Sequence, residues 1–80
     1  MNKQIFEQLT ALFEQVFEGE VPCESLSEST LLVEDLGMNS IGFLYMAMAA
    51  EEAFGVRFEN TDFEDLRTVG DVVRLIEQRQ

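Results

Sequence analysis

The chain contains no histidine and only one cysteine, Cys23. With no histidine or second cysteine to accompany it, this thiol lacks a partner for nucleophilic catalysis of the Cys–His type and for a zinc site. A single cysteine also excludes an internal disulfide framework. The sequence therefore predicts a free, incidental thiol at this position.

Long apolar runs are missing as well. The longest run of small and apolar residues is MAMAA at 46–50, far shorter than the roughly 20 residues that a membrane-spanning helix needs. The first residues, MNKQIFEQ, lack the basic flank, apolar run and cleavage site of a signal peptide. We therefore expect a cytoplasmic protein. A chain of 80 residues predicts one domain, 1–80, with a single modest core.

Positive charge is scarce. Five basic residues stand against sixteen acidic ones, the formal net charge is −11, and no basic residue occurs from Gln4 to Val56. Such a surface repels nucleic acid and anionic lipid, and it attracts basic patches on other proteins. The alternative is that the charge only keeps the domain in solution, because net charge alone identifies no partner.

Apolar residues recur at helical spacing in the first half of the chain. Steps of three and four residues predict an amphipathic helix over 2–17. A second helix is predicted over 41–54, with Ser40 as its N-cap and Gly55 just beyond its end. One stripe of this helix is marked by Ile41, Leu44, Tyr45, Met48 and Glu52.

The second half predicts two further helices. Thr61 followed by Glu64 is typical of a capping box and indicates a short helix over 61–66. Thr68 with Asp71 is the matching signal for a final helix over 68–79. The expected fold is all-α, a four-helix bundle with a long loop over 18–39 and a short third helix.

Six phenylalanines should supply much of the core, because a fold with so few helices must bury its rings against one another. They are Phe6, Phe13, Phe17, Phe54, Phe58 and Phe63. The alternative is a core that opens to admit an apolar guest. Met46 and Met48 favour that adaptability, because thioether side chains change shape easily.

Ser40 follows the turn residues Gly37 and Met38, at the start of the predicted second helix. It can be a plain N-cap, which stabilises a helix by about 0.5–2 kcal/mol. It can equally be an attachment point, because the turn can present its hydroxyl outward and a helix N-terminus favours a bound phosphate. The residues alone leave both interpretations open. Three rival hydroxyls lie in a polar loop without a comparable helix start: Ser25, Ser27 and Ser29.

Two groups of acidic residues could suggest other chemistry. Residues 60–71 space their acids somewhat like a calcium loop, but Asp65 stands where such a loop needs glycine. The capping boxes explain these acids better. Glu51 and Glu52 are adjacent, and adjacent side chains diverge by about 100° on a helix. They are therefore not predicted to form an acid–base pair.

Two stretches carry a family resemblance: EDLGMNSIGFLYMAMAAEEAFGVRF (34–58) and TDFEDLRTVGDVVRLIEQ (61–78). Their order and spacing in an acidic chain resemble acyl carrier proteins over 31–79, and more loosely over the first helix. The resemblance implies that a phosphopantetheinyl transferase attaches 4′-phosphopantetheine from coenzyme A to Ser40. The thiol of this arm would then hold acyl groups as thioesters, so that the protein is a carrier and not an enzyme.

The sequence departs from the family pattern close to this serine. Asn39 stands where aspartate is usual, and Ile41 where leucine is common. Gly42 and Tyr45 occupy positions that often hold exposed acids. Gly42 should also loosen the first turn by roughly 0.5–1 kcal/mol relative to alanine.

These departures predict a weaker acidic docking surface, partly replaced by apolar surface from Phe43, Tyr45 or Met46. We therefore expect a carrier dedicated to a specialised fatty-acid or polyketide-like pathway, whose partners use basic or apolar docking patches. Leu36 and Ile41 are equally compatible with a place in the core. The residues expected to contact partners are Asp35, Leu36, Asn39, Ile41, Tyr45, Glu51 and Glu52.

The leading interpretation is a stand-alone, monomeric acyl carrier protein served by loading, elongating and transfer enzymes. A peptidyl, aminoacyl or D-alanyl carrier shares the chemistry and differs in cargo. A small acidic helical adaptor that is never modified is the alternative from another class, with Ser40 only a cap.

Overall fold

The computed structural model describes residues 2–17 and 26–80, and the predictions made for Cys23 and Ser25 lie outside them. Within these two ranges the chain forms three α-helices: α1 (Lys3–Val16), α2 (Ser40–Phe54) and α3 (Val69–Arg79). Between α2 and α3 lies a short 3-10 helix, Asn60–Glu64. The described residues are thus all-helical, and each predicted helix is present to within two residues at its ends. The short helix is of the 3-10 type and stops two residues early.

The α1 helix is amphipathic, as predicted. The Asn2 side chain caps it by accepting hydrogen bonds from the backbone N–H groups of Gln4 and Ile5 at 2.9 and 3.2 Å. Its apolar residues at steps of four bury one stripe, Ile5, Leu9 and Phe13. This stripe packs against both α2 and α3.

The N-cap of α2 is Asn39, and the prediction that Ser40 fills this position is wrong. The Asn39 Oδ1 accepts a hydrogen bond from the Gly42 N–H at 2.8 Å, while Ser40 is the first helical residue. Asparagine caps a helix as well as serine does, so the cap moves one residue towards the N-terminus. At the other end, Gly55 has φ 67° and closes the helix in the left-handed region, as predicted.

The short helix also begins differently from the prediction. Its capping carboxylate is Asp62, which accepts a hydrogen bond from the Glu59 N–H at 2.7 Å. The predicted pair of Thr61 and Glu64 is therefore wrong, because the helix starts one residue earlier, at Asn60. The predicted box on α3 is confirmed: Thr68 Oγ1 accepts from the Asp71 N–H, and Asp71 accepts from the Thr68 N–H, both at 3.1 Å.

The described part of the long loop is fastened to the start of α3. The carbonyl oxygens of Thr30 and Glu28 accept hydrogen bonds from the first N–H groups of α3, those of Val69 and Gly70, at 3.0 and 2.9 Å. The Leu32 N–H donates in return to the Arg67 carbonyl at 2.9 Å. These bonds satisfy N–H groups that a helix leaves without internal partners.

The core draws on every α-helix and on the loop. The largest side chains that are fully buried are Phe13, Leu9, Leu32, Met46, Ile76, Val69, Val72 and Val73. Of the six phenylalanines predicted for the core, only Phe13 is fully buried. The other five are partly buried and pack against the edge of the core. Met46 is buried and Met48 is exposed, so the two methionines do not form one adaptable pair.

No helix in the described residues is long and apolar enough to cross a membrane.

Candidate functional site

Ser40 is exposed at the first position of α2. The preceding segment is a compact turn in which the N–H groups of Gly37 and Met38 donate to the carbonyl oxygens of Val33 and Leu32 at 2.9 and 3.1 Å. Gly37 has φ 69°, a conformation that favours glycine. The Met38 side chain is buried and anchors the turn, so that the serine two residues later emerges at the surface.

The start of α2 offers a favourable environment for a negative group on Ser40. The N–H groups of the first turn have no intrahelical partners, and the helix dipole places partial positive charge there. One of these groups, the Gly42 N–H, donates a hydrogen bond to the neutral side chain of Asn39. A phosphate attached to Ser40 therefore meets no carboxylate from the cap residue.

A largely apolar groove opens beside Ser40, with a volume of about 640 Å³. Its wall residues come from the turn, from α2 and from the 3-10 helix: Val33, Met38, Asn39, Ser40, Phe43, Leu44 and Phe63. The rings of Phe43 and Phe63 meet edge to face, with centroids 6.3 Å apart and planes at 90°. The size falls within the range of small-molecule sites in proteins.

Sequence reasoning missed two of these wall residues. Val33 was not singled out, and Phe63 was expected in the core. Phe63 reaches the groove because the 3-10 helix packs beside α2, where its ring meets Phe43. Val33 reaches it because the turn before Ser40 folds back, with the Gly37 N–H donating to the Val33 carbonyl. The alternative of a core that opens to admit an apolar guest stays a prediction.

The stripe predicted on α2 is exposed. Ile41, Leu44, Tyr45 and Met48 expose between 55% and 66% of their surfaces. Ile41 is three and four residues from Leu44 and Tyr45, and Met48 is four and three residues from them, so the four residues form one apolar face, which begins directly after Ser40. The alternative that placed Ile41 in the core is therefore wrong.

Other expected contact residues have different positions. Met46 is fully buried and Phe43 is half-buried in the groove wall, so of the three apolar residues suggested for the surface only Tyr45 is fully exposed. Leu36 is half-buried and packs against the core. Asn39 is exposed beside Ser40.

The acidic candidates also differ from one another. The Asp35 carboxylate is exposed and accepts a hydrogen bond from the Leu31 N–H at 2.8 Å. Glu51 is half-buried, and its Oε2 accepts from the Phe58 N–H at 2.8 Å, which ties α2 to the link that follows it. Glu52 is exposed at the far end of the apolar face.

A charged pair lies on the opposite side of the 3-10 helix from the groove. Arg79 Nη2 donates to Asp62 Oδ1 at 2.9 Å, and Arg79 Nη1 donates to the Arg57 carbonyl at 2.9 Å. The hydrogen bond from the Glu59 N–H, followed by that from Arg79, lowers the pKa of the Asp62 carboxyl below its usual value. This aspartate belonged to the discarded calcium loop, and its oxygens are engaged within the chain.

Comparison with known proteins points in one direction. The family described as "Phosphopantetheine attachment site" matches residues 7–76. An acyl carrier protein of Chlamydia muridarum is 40% identical over 57 residues, which cover 71% of this chain and 74% of that protein. An acyl carrier protein of Saccharopolyspora erythraea is 37% identical over 76 residues, covering 92% of this chain and 76% of that protein. One of Thermobifida fusca is 29% identical over 77 residues and covers 96% and 95% of the two chains.

The family match spans most of the chain and includes the turn, α2 and most of α3. Proteins of this kind are carriers rather than enzymes, and they bear a covalent 4′-phosphopantetheine group that phosphopantetheinyl transferases attach. The exposed serine at a helix start and the apolar groove beside it are compatible with that chemistry. The chain therefore belongs to the acyl carrier protein family.

Proposed function

We propose that Ser40 is the residue that carries the 4′-phosphopantetheine arm. The observation that supports it best is its position: an exposed hydroxyl at the first residue of α2, at the rim of the apolar groove. Ser27 and Ser29 lie on the loop, where their hydroxyl oxygens are 3.0 Å apart in a hydrogen bond. Neither begins a described helix, and neither lines the groove beside Ser40.

The arm would be joined to the protein by a phosphodiester at the start of α2. The transferase would move phosphopantetheine from coenzyme A to the Ser40 Oγ, which loses its proton as the new P–O bond forms and the nucleotide part of coenzyme A leaves. The partial positive charge at the helix start favours the resulting anion. The arm's thiol then forms the thioester.

The cargo is proposed to be an acyl chain that can withdraw into the groove. Burying hydrocarbon in an apolar space is favourable at roughly 25 cal/mol per Å² of apolar surface. A charged aminoacyl group would lose hydration there without finding a partner. This contrast favours an acyl carrier over a peptidyl, aminoacyl or D-alanyl carrier.

The apolar face of α2 is the proposed docking surface for enzymes that load, elongate and transfer the cargo. Ile41 and Tyr45 lie on it, and Asn39 and Glu52 lie at its two ends. Asp35, Leu36 and Glu51 remain candidates at its margin, although Leu36 and Glu51 also serve the fold. A partner that matches this face needs an apolar patch with basic residues beside it.

Such a face supports a pathway-dedicated carrier, for fatty-acid-like or polyketide-like products. The three α-helices and the 3-10 helix are proposed to form the family's four-helix bundle as one carrier domain over 1–80. A monomeric state and a cytoplasmic location stay predictions.

Mass spectrometry tests the attachment site. The protein is incubated with coenzyme A and a broad-specificity transferase, and a phosphopantetheine adduct is expected. The adduct should be absent from Ser40→Ala and retained in the matched controls Ser27→Ala and Ser29→Ala. An adduct that persists in Ser40→Ala would refute the assignment. No adduct with any of several transferases would favour the unmodified adaptor.

Loading by enzymes tests the pathway. The holo-protein is offered to a general fatty-acid synthase set beside a housekeeping carrier. We expect slow elongation, because the face after Ser40 offers apolar contact in place of charge. Elongation as fast as that of the housekeeping carrier would contradict the specialised role.

A further inference from the structure

The 3-10 helix divides two environments. Phe63 faces the apolar groove beside Ser40, where its ring meets Phe43. Asp62, the preceding residue, lines a polar groove against α3 together with Arg79. In a 3-10 helix successive side chains point about 120° apart, so holding Asp62 on one side fixes the direction of Phe63 on the other.

The guanidinium of Arg79 holds this helix at two points. It donates to the Asp62 carboxylate, which is inside the helix, and to the Arg57 carbonyl, which lies before it, each at 2.9 Å. The Asp62 side chain is only 13% exposed and that of Arg79 is 32% exposed. A planar guanidinium with donors in a fixed fork suits such a double contact, which a lysine ammonium does not reproduce.

Besides the fork, the helix is held by Phe63, which is half-buried and packs against the core. The helix spans five residues, so that its own hydrogen bonds stabilise it weakly. On the α2 side, the link before it is held by the bond from the Phe58 N–H to Glu51 Oε2 at 2.8 Å. The Arg79 fork is the corresponding attachment on the α3 side, and its loss should leave Phe63 free to move away from Phe43.

We propose that Arg79, although outside the groove, is a positioning residue that sets the width of the groove beside Ser40 through Asp62 and Phe63, and thereby the length of acyl chain that the groove protects. The inference rests on the proposed role of the groove as the cargo site. With the fork intact, Phe63 stays against Phe43 and the groove is narrow. With the fork broken, the 3-10 helix swings outward and a buried chain becomes accessible to water and enzymes.

The test loads the full-length protein with either a decanoyl or an acetyl thioester on the Ser40 arm, and measures how fast hydroxylamine cleaves each. An acetyl group is too short to enter the groove, so its cleavage rate gives the reactivity of a thioester whose acyl chain is not buried. In the unaltered protein, the decanoyl thioester should be cleaved more slowly. Arg79→Met should accelerate decanoyl cleavage by about threefold to tenfold, the effect of a partly buried charged hydrogen-bond pair, and leave acetyl cleavage unchanged.

A matched control exists on the same helix. Arg74 forms a similar pair with Asp71, with Nη2 and Oδ1 2.7 Å apart. This pair lines the same polar groove, but both of its residues belong to α3 and the bond does not link α3 to the 3-10 helix. Arg74→Met should leave both rates unchanged. Arg79→Lys keeps the charge without the fork, so its rate of decanoyl cleavage should lie between those of the unaltered protein and Arg79→Met. Asp62→Asn should cleave decanoyl as fast as Arg79→Met does.

A structural readout needs no cargo. In the unloaded protein, nuclear Overhauser effects between the rings of Phe43 and Phe63 should weaken in Arg79→Met and persist in Arg74→Met. Thermal unfolding confirms that each variant is folded; if Arg79→Met is not, Arg79→Lys decides. The positioning role is overturned if ring contacts and the decanoyl rate are the same in Arg79→Met as in Arg74→Met, or if both thioesters accelerate equally. If the unaltered protein does not protect the decanoyl thioester at all, the groove is not the cargo site. The proposed cargo site and the positioning role of Arg79 then both fail, while the attachment to Ser40 is unaffected.

Discussion

At the scale of single residues, the start of α2 separates two roles that one serine was expected to combine. Asn39 caps the helix through its side chain, and Ser40 follows it with an exposed hydroxyl. The capping contribution therefore does not depend on the hydroxyl that becomes modified. Attachment of an arm to Ser40 leaves the hydrogen bond from the Gly42 N–H to Asn39 in place.

This separation predicts different costs for two neighbouring alanine substitutions. Asn39→Ala should lower the free energy of unfolding by about 0.5–2 kcal/mol, because the Gly42 N–H loses its acceptor. Ser40→Ala should change it by less than about 0.5 kcal/mol, as an exposed substitution away from a cap does. Urea unfolding of the unmodified proteins measures both. Equal losses of unfolding free energy in the two variants would contradict the assignment of the cap to Asn39 alone.

Two glycines allow a second prediction at this scale. A Cβ at position 70 would lie 2.8 Å from the backbone oxygen of Glu28, so Gly70→Ala should cost about 1–3 kcal/mol by overpacking. A Cβ at position 42 would meet Asn39 Oδ1 at 3.4 Å and Phe17 at 3.5 Å, which are ordinary contacts. Gly42→Ala should therefore stabilise by about 0.5 kcal/mol through helix propensity. Urea midpoints that move in the same direction for both would contradict this account.

At the scale of elements, sequence patterns located the helices well and oriented only some of them. In α1 and α3 apolar residues fall on one stripe, so the period shows both that a helix forms and which face is buried. In α2 apolar residues surround the axis: Met46, Ala47 and Ala50 are buried while Tyr45 and Met48 are exposed. A helix that is apolar all round does not reveal its buried face, which only tertiary packing decides. The groove depends on the same packing and could not be located from the sequence.

The capping box of α3 should make the stability of the protein depend on pH. Partial burial disfavours the Asp71 carboxylate, but hydrogen bonds from Arg74 and from the N–H groups of Thr68 and Arg67 outweigh it and lower its pKa below 3.8. Its stabilising contribution is therefore present above about pH 4 and is lost as pH falls through the lower, folded-state value. The free energy of unfolding of Asp71→Asn should be about 1 kcal/mol below that of the unaltered protein at pH 6.

That difference should shrink towards zero as the pH falls through the lowered, folded-state pKa of Asp71. Asp65→Asn is the control, because this neighbouring aspartate is exposed and its substitution removes a carboxylate without touching the box. A difference for Asp71→Asn that stays constant from pH 6 into acid would show that ionisation of Asp71 does not stabilise the fold.

At the scale of the whole molecule, a net charge of −11 on 80 residues dominates the electrostatics. Acids repel one another across a small fold whose longest dimension, 27 Å, is close to the Debye length of about 30 Å at 0.01 M salt. The described ion pairs, Asp62–Arg79 and Asp71–Arg74, both lie on the α3 side. Over much of α1, the loop and α2 the negative charge is therefore not compensated.

Salt should stabilise this protein. Raising sodium chloride from about 0.01 M to about 0.3 M screens the repulsion and should raise the melting temperature by several degrees. The variant Glu7→Gln/Glu14→Gln removes two exposed charges from α1 and should show a smaller rise. A melting temperature that falls with salt would mean that the two ion pairs outweigh the repulsion.

The hydrogen bonds between 28–32 and 67–70 have a consequence for how the molecule moves. They close a chain segment, 33–66, that contains Ser40, the groove, the apolar face of α2 and the 3-10 helix. Both ends of this segment are held together by these hydrogen bonds, so the entropy cost of closing the segment is incurred once. Its interior can then fluctuate while α1 and α3 stay in place. Amide protons at the closure should then exchange slowly with solvent, and those of the 3-10 helix much faster. The carrier would open and close around its cargo as a local event, while α1 and α3 stay assembled.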